Sequence, residues 1–273
     1  MTVTTQPHSL ALADVASQFE PIDLVELNAT AALQHRVDRK YIVTAAAAAD
    51  LVGWIARSAG ESTRPRVLQV GEQRWSDYES TYFDTPELRC YRMALQQHRH
   101  RFKVRTRTYS ETGSSFLEVK TKSPHGHTVK RRMAWQDTRP QSVITSRGLD
   151  FISACLSSPS VGSLDLAPSL VTAYKRLTLH LPQSKARMTI DANLKWQAPN
   201  QAGIYETDRL IIEIKSSRSP TPVDHWLWRA GHRPVPSSKY AAGIALFHSD
   251  LPRHRWSRTV IRDLGRPELI HYG

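Results

Sequence analysis

The sequence is poor in cysteine, with Cys90 and Cys155 the only two among 273 residues. Two thiols cannot build a disulfide framework or a cysteine zinc site, and they suit a reducing, cytoplasmic setting in which both serve packing. No run of 18 apolar residues occurs, and the N-terminus lacks a basic region followed by an apolar stretch and a cleavage site. A soluble, unsecreted protein is expected. Common phosphate-handling signatures are missing too: there is no G-x-x-x-x-G-K-[ST] loop, no G-x-G-x-x-G and no kinase-type catalytic loop. Any nucleotide would therefore be held by side chains. Neither G-x-S-x-G nor H-E-x-x-H is present, and no repeat of 20–50 residues appears, which argues against hydrolase elbows, zincins and solenoids.

Acidic residues are scarce where basic ones are dense. Lys plus Arg number 37 against 25 Asp plus Glu, a formal charge of +12 that calls for an anionic partner. Residues 99–132 hold ten basic residues against Glu111 and Glu118 alone, and so carry eight of those twelve charges. Residues 1–27 hold four acidic residues and no Lys or Arg.

The first twenty residues read as a loose arm, residues 21–250 as one principal domain, and residues 251–273 as an exposed basic tail. His35 to Val43 suits a strand, and the alanine-rich Ala45 to Ser58 a helix. From Tyr78 onward come short β-rich runs, YESTYFDT, HRFKVRTRTY, FLEVKTK and HTVKRRMAW, the last three separated by turns at Glu111–Ser114 and Ser123–Gly126. Further strands are expected at Leu170 to Leu181, Ala186 to Trp196 and Arg209 to Lys215. Helices are expected within 141–163 and at Asp224 to Ala230, with another element beginning at Ser238. The fold class is α+β, mainly antiparallel β, with helices packed outside.

Alternation within these strands carries the chemistry, because successive side chains of a strand point to opposite faces. HRFKVRTRTY puts Arg101, Lys103, Arg105 and Arg107 on one face and Phe102, Val104, Thr106 and Thr108 on the other. FLEVKTK places Glu118, Lys120 and Lys122 together. Arg36, Asp38 and Lys40 alternate with Val37 and Arg39, Arg187, Thr189 and Asp191 with Met188 and Ile190, and Glu213 shares a face with Lys215. An open sheet with its charged face in water would explain any one strand. It explains less well the recurrence of carboxylates two residues from lysines. A closed barrel with these faces inward would need anions to compensate its cations, and polyphosphate supplies them. A few carboxylates among many cations also suit Mg²⁺ or Mn²⁺, with Glu213 the first choice of ligand and Glu118 the second, each with an ordinary alternative as a lysine's partner. The pairs His98/His100 and His125/His127 lie beside turns and are read as solvated.

At these residues the chain resembles the polyphosphate-polymerase domain of the vacuolar transporter chaperone (VTC) family, within the CYTH-like triphosphate tunnel superfamily. The matching segments are RVDRKYIV, STYFDTPELRCY, HRFKVRTRTY, LEVKTK, TVKRR, AYKRLTL, RMTIDANL, LIIEIKS and SSKY, in family order from about residue 28 to 247. The resemblance implies a closed β-barrel tunnel open at both ends. It implies phosphate binding by Lys40, Arg105, Arg107, Lys120, Lys130 or Arg131, Arg176, Arg187 and Lys239, with Lys130 favoured at the ambiguous position. Arg105, Arg107, Lys120 and Lys239 are the expected catalytic set, and Glu213 the metal-binding glutamate. No regulatory domain precedes the tunnel segment and no membrane segment follows it in this sequence, so coupled transport is not carried over.

The expected activity is metal-dependent transfer of the γ-phosphoryl group of ATP to a growing polyphosphate chain. Hydrolysis of triphosphate or nucleoside triphosphate in the same tunnel is the nearest rival. Non-catalytic nucleic-acid binding is the more distant one, disfavoured because such a patch needs no carboxylates among its cations.

Overall fold

The computed structural model describes residues 16–30, 37–123, 127–136, 143–156, 164–217 and 219–271. Twelve strands form one sheet. They are β1 (Glu20–Ile22), β2 (Val37–Val43), β3 (Arg66–Leu68), β4 (Trp75–Asp84), β5 (Lys103–Tyr109), β6 (Ser114–Lys122), β7 (Thr128–Trp135), β8 (Ala167–Leu181), β9 (Ala186–Gln197), β10 (Ile204–Thr207), β11 (Leu210–Ser216) and β12 (Glu268–Ile270). The main path runs β7-β6-β5-β4-β8-β9, after which one edge of β9 pairs with β11 near its start and β10 near its end. β2 lies beyond β11, and all these pairings are antiparallel; only the short β1 and β3 pair in parallel.

The sheet is coiled. β2 and β5 lie five places apart along it, yet Lys40 donates to the Ser237 carbonyl at 3.2 Å and Lys103 to the neighbouring Ser238 hydroxyl at 2.6 Å. Closure was the expectation. Instead, no pairing joins the end strands β2 and β7 among the described residues, so the charged face lines a curled trough closed at one end by helical residues, rather than a barrel sealed by hydrogen bonds.

Most of the helices cover the outside, because the apolar face of most strands points that way. The helices are α1 (Leu24–Thr30), α2 (Ala45–Ser58), α3 (Arg89–Leu95), α4 (Ser146–Leu156), α5 (Pro222–Arg229), α6 (Lys239–Phe247) and α7 (His254–Arg258). Residues of α2 and α5 pack on Tyr41, Val43, Leu179, Met188, Ile190, Ile212 and Ile214. Residues of α3, α4 and α6 pack with Phe83, Val104, Leu117, Val119 and Trp135. The Thr44 hydroxyl caps α2, and Thr221 with Asp224 forms a capping box on α5. The first cluster lies behind the sheet, whereas the second also takes in Tyr82, Leu170, Tyr174 and Trp196 of the inner face, over which α6 packs at one end; the rest of the inner face is left to polar groups.

Two expectations are corrected. The segment after residue 251 is not merely exposed: α7 continues into a further turn at Thr259–Asp263, and Trp256, Val260 and Leu264 are buried. Arg101 precedes β5 and donates to the carbonyls of Gln97 and His98, so it is not a rung of the charged face. Arg36 and His125 lie outside the described residues. Among the described residues no helix is long and apolar enough to cross a membrane.

Candidate phosphate-binding site

Register assembles the inner face from residues far apart in the chain. Across β5, β6 and β7, Lys103 stands opposite Lys120 and Lys120 opposite Lys130, while Arg105 stands opposite Glu118 and Glu118 opposite Arg132. On the other wall His180, Arg187, Lys215 and Asp38 form one row, and Thr178, Thr189, Glu213 and Lys40 the next. Arg176 lies opposite Asp191. The curl brings the walls together electrostatically, since Lys120 of β6 and Arg176 of β8 both act on Glu213 of β11.

Each of three inner carboxylates is clamped by two cations. Glu118 Oε2 accepts from Arg105 Nε at 2.8 Å and Nη2 at 2.6 Å, and its Oε1 accepts from Lys130 Nζ at 2.8 Å. Asp191 receives Arg176 through two parallel bonds of 2.5 and 2.8 Å, and Lys239 through a further ion pair. Glu213 is held more loosely, with Lys215 at 3.2 Å and Lys40 at 3.7 Å. Burial alone would push all three carboxyls up, but the cations outweigh it: Asp191 lies at about 2, and Glu118 and Glu213 well below the usual carboxylate range.

Three inner cations that are buried or half-buried have no such partner. Among the described residues no carboxylate comes within ion-pair distance of Lys103, Arg107 or Lys120. Arg107 makes only neutral hydrogen bonds, to Ser80 Oγ at 3.3 Å and Tyr174 Oη at 3.0 Å, and its guanidinium lies 5.2 Å from the centre of the Tyr78 ring. The field of Arg105, then burial, pushes the Lys120 ammonium well below its ordinary value. Burial, with Lys40 and Arg105 adding to it, lowers Lys103 to about 8.

A bound polyanion would restore Lys103 toward the ordinary lysine value near 10.4. Binding should therefore take up protons between about pH 8 and pH 10, where the free protein has lost the charge and the complex keeps it. Affinity should therefore fall above about pH 8, as the free protein loses the Lys103 charge. Calorimetric titration with tripolyphosphate in buffers of different ionisation enthalpy reads this uptake, and an affinity independent of pH from 7 to 10 would refute it.

Geometry gives the direction of two side chains that the sequence left open. Lys130 points inward to Glu118, whereas Arg131 points away and donates to the Ala154 carbonyl of α4 at 3.2 Å. Lys239 is the first residue of α6, with Ser238 as N-cap, yet its ammonium reaches Asp191 and lies 4.3 Å from the centre of the Tyr174 ring. Its backbone is fixed from two sides. Trp196 Nε1 donates to the Lys239 carbonyl at 2.9 Å, and the neighbouring Tyr240 hydroxyl donates to buried Asp84, which also accepts the amide N–H groups of Thr85, Cys90 and Tyr91.

Arg187 shares the face but donates to the Leu27 carbonyl and Asn28 Oδ1 of α1, at 3.2 and 3.1 Å. Sequence reasoning did not single out Asp191, Tyr78, Tyr82 or Tyr174 as site residues. Their period-two positions in β4, β8 and β9 were a usable signal for facing inward, but not for which cation each would meet.

A divalent cation finds limited protein ligation here. Among the described residues no cluster of three or more His, Cys, Asp or Glu side chains could cage a metal. Both oxygens of Glu118 are taken by close cations, which makes it a poor ligand. Glu213, with longer contacts, retains capacity for one ion whose shell substrate oxygens and water would complete.

The site is thus a coiled antiparallel sheet whose inner face is lined by cations. The chain belongs to the VTC domain family, whose profile matches residues 35–248. A comparison with curated proteins gives no significant match. Among solved structures, the chain is similar to a Hippeastrum protein named for adenylyl cyclase and described as having a dominant triphosphatase activity, with 13% identity over 80% of this chain and 97% of that one and a TM-score of 0.45. It is also similar to a protein from Pyrococcus horikoshii, with 12% identity over 72% and 88% of the two chains and a TM-score of 0.37. A Vibrio parahaemolyticus protein named for adenylate cyclase gives 12% identity over 72% and 84%, with a TM-score of 0.35.

Proposed function

We propose that this protein is a polyphosphate polymerase that transfers the γ-phosphoryl group of ATP to the end of a polyphosphate chain held in the trough. The observation that carries this reading is the set of cations without counter-ions, Lys103, Arg107 and Lys120, beside the clamped Arg105. Buried charges of one sign are costly unless an anion joins them, and a row of phosphates supplies such an anion.

In the proposed step a terminal oxygen of the acceptor chain attacks the γ-phosphorus of ATP. The bond from that phosphorus to the β–γ bridging oxygen breaks, and ADP leaves with the electron pair. No protein nucleophile is needed. Arg105, Arg107 and Lys120 hold the transferring group and take up its developing charge, and Lys239 fixes a terminal phosphate, while Lys40, Lys130, Arg176 and Arg187 align the rest of the chain. A divalent ion, Mn²⁺ or Mg²⁺, held by Glu213 and phosphate oxygens would neutralise charge on the transferring phosphates.

Incubation with ATP and Mn²⁺, followed by chain-length analysis, tests the reading. Long acid-labile chains formed with one ADP per added phosphate are expected; free phosphate without chains would replace polymerase by hydrolase. Glu213→Gln should shift the Mn²⁺ activation curve to roughly 10–100-fold higher concentration, with activity recovering at saturating metal. An unchanged activation curve would remove Glu213 from the metal site.

A further inference from the structure

Beyond the phosphate rungs, the inner face carries a group of aromatic rings at one end of the sheet. Tyr78 of β4 stands opposite Tyr109 of β5, the last residue before the β5–β6 turn, and Phe116 lies just past that turn on β6. Gly113, at φ +61°, gives this turn the left-handed residue that keeps it tight. Tyr78 stacks on Tyr174 at 5.3 Å and meets Tyr109 edge-on at 5.0 Å; Tyr109 in turn meets Phe116 edge-on at 6.0 Å. The Arg132 guanidinium lies 4.7 Å from the centre of the Phe116 ring.

These rings are not simply core. Tyr78 packs against a hydrophobic cluster, but Tyr109 and Phe116 are half-buried and belong to neither cluster, and Arg132 beside them is exposed. They continue the phosphate rungs directly, because Arg107 and Arg176 both lie against Tyr78, at 5.2 and 5.0 Å. From Arg107 to Tyr109 is one inner-face step, about 6.5–7 Å.

Partly exposed aromatic rings beside an exposed guanidinium are what a planar heteroaromatic base stacks on. We infer that Tyr109, Phe116 and Arg132 form a platform for the nucleobase of the donor nucleoside triphosphate, with Tyr78 joining it to the phosphate rungs. This rests on the phosphate-binding reading above. It adds a polarity: the base stays at the β5–β6 turn, and the triphosphate runs inward past Arg107 and Arg105 toward Lys120 and Lys103. The donor enters from the end of the sheet remote from α6.

The test compares ATP with inorganic tripolyphosphate, which has the phosphates and no base. Tyr109→Ala and Phe116→Leu should each weaken ATP binding roughly 5- to 100-fold while leaving tripolyphosphate affinity within twofold, and Tyr109→Phe should bind ATP like the parent protein. Unchanged tripolyphosphate binding also shows that the variants are folded. Equal losses for both ligands, or no loss for ATP, would overturn the platform. Failure of the unmodified protein to bind tripolyphosphate would overturn the phosphate-binding reading, and the platform with it.

Discussion

Arg107→Leu is expected to lower the proposed polyphosphate synthesis by roughly 10²–10³-fold, the loss typical of removing one pre-organised donor to a transition-state charge, without lowering the melting temperature. The two effects separate because Arg107 faces the trough with neutral partners only, Ser80, Tyr174 and the Tyr78 ring. A buried cation without a counter-ion costs stability in the empty protein, and leucine removes that cost. Arg105→Leu should behave differently, because its guanidinium makes two hydrogen bonds to Glu118 and its loss leaves that carboxylate with Lys130 alone. Turnover and thermal melts of the two variants, each with and without tripolyphosphate, decide the matter. The assignment fails if Arg107→Leu keeps more than a third of the activity, or if it melts well below the parent.

The second large effect is on the fold. Glu118 is buried and receives three donor contacts from Arg105 and Lys130, so Glu118→Gln leaves two cations facing a neutral amide. Removing one partner of a buried ion pair costs about 3–5 kcal/mol, which for a chain of this size lowers the melting temperature by roughly 6–20 °C. Added tripolyphosphate should restore part of the loss, since phosphate oxygens can take the carboxylate's place. The pH dependence has a definite sign. Arg105, Arg107 and Lys130 overcome burial and hold this carboxyl well below its ordinary range, so its contribution is complete above about pH 4.3 and fades as the pH falls toward the folded value. Glu118→Gln should therefore flatten the acid limb of the stability profile. A variant as stable as the parent at pH 7, with an unchanged acid limb, would show that the clamp contributes nothing.

Much of this was legible in the sequence because alternation is a local property. A strand of period two commits every second side chain to one face whatever its neighbours are, so KVRTRTY, LEVKTK and LIIEIK already separated the charged face from the apolar one. The alanine-rich helix over Ala45–Ser58 was equally plain, since composition and spacing agree within one segment. The C-terminal segment was less legible. Its basic residues conceal the apolar set Trp256, Val260 and Leu264, and only the surface prepared by α6 gives those residues something to pack against.

What the sequence by itself determined was the alternation that divides most strands into a charged and an apolar face, and that positive charge prevails on the former. Tertiary structure alone decided which cations are answered by carboxylates and which are left for a ligand. Asp191 meets Lys239 across 48 positions of sequence, and Tyr240 reaches Asp84 across 156. Strand register and the seating of α6 made those pairings, as they sent Lys130 to Glu118 and Arg131 to the back of the sheet. Register is a collective property of several strands packed against helices, so no single segment encodes it. The same holds for closure, because pairing of β2 with β7 depends on the twist and stagger summed over every strand between them.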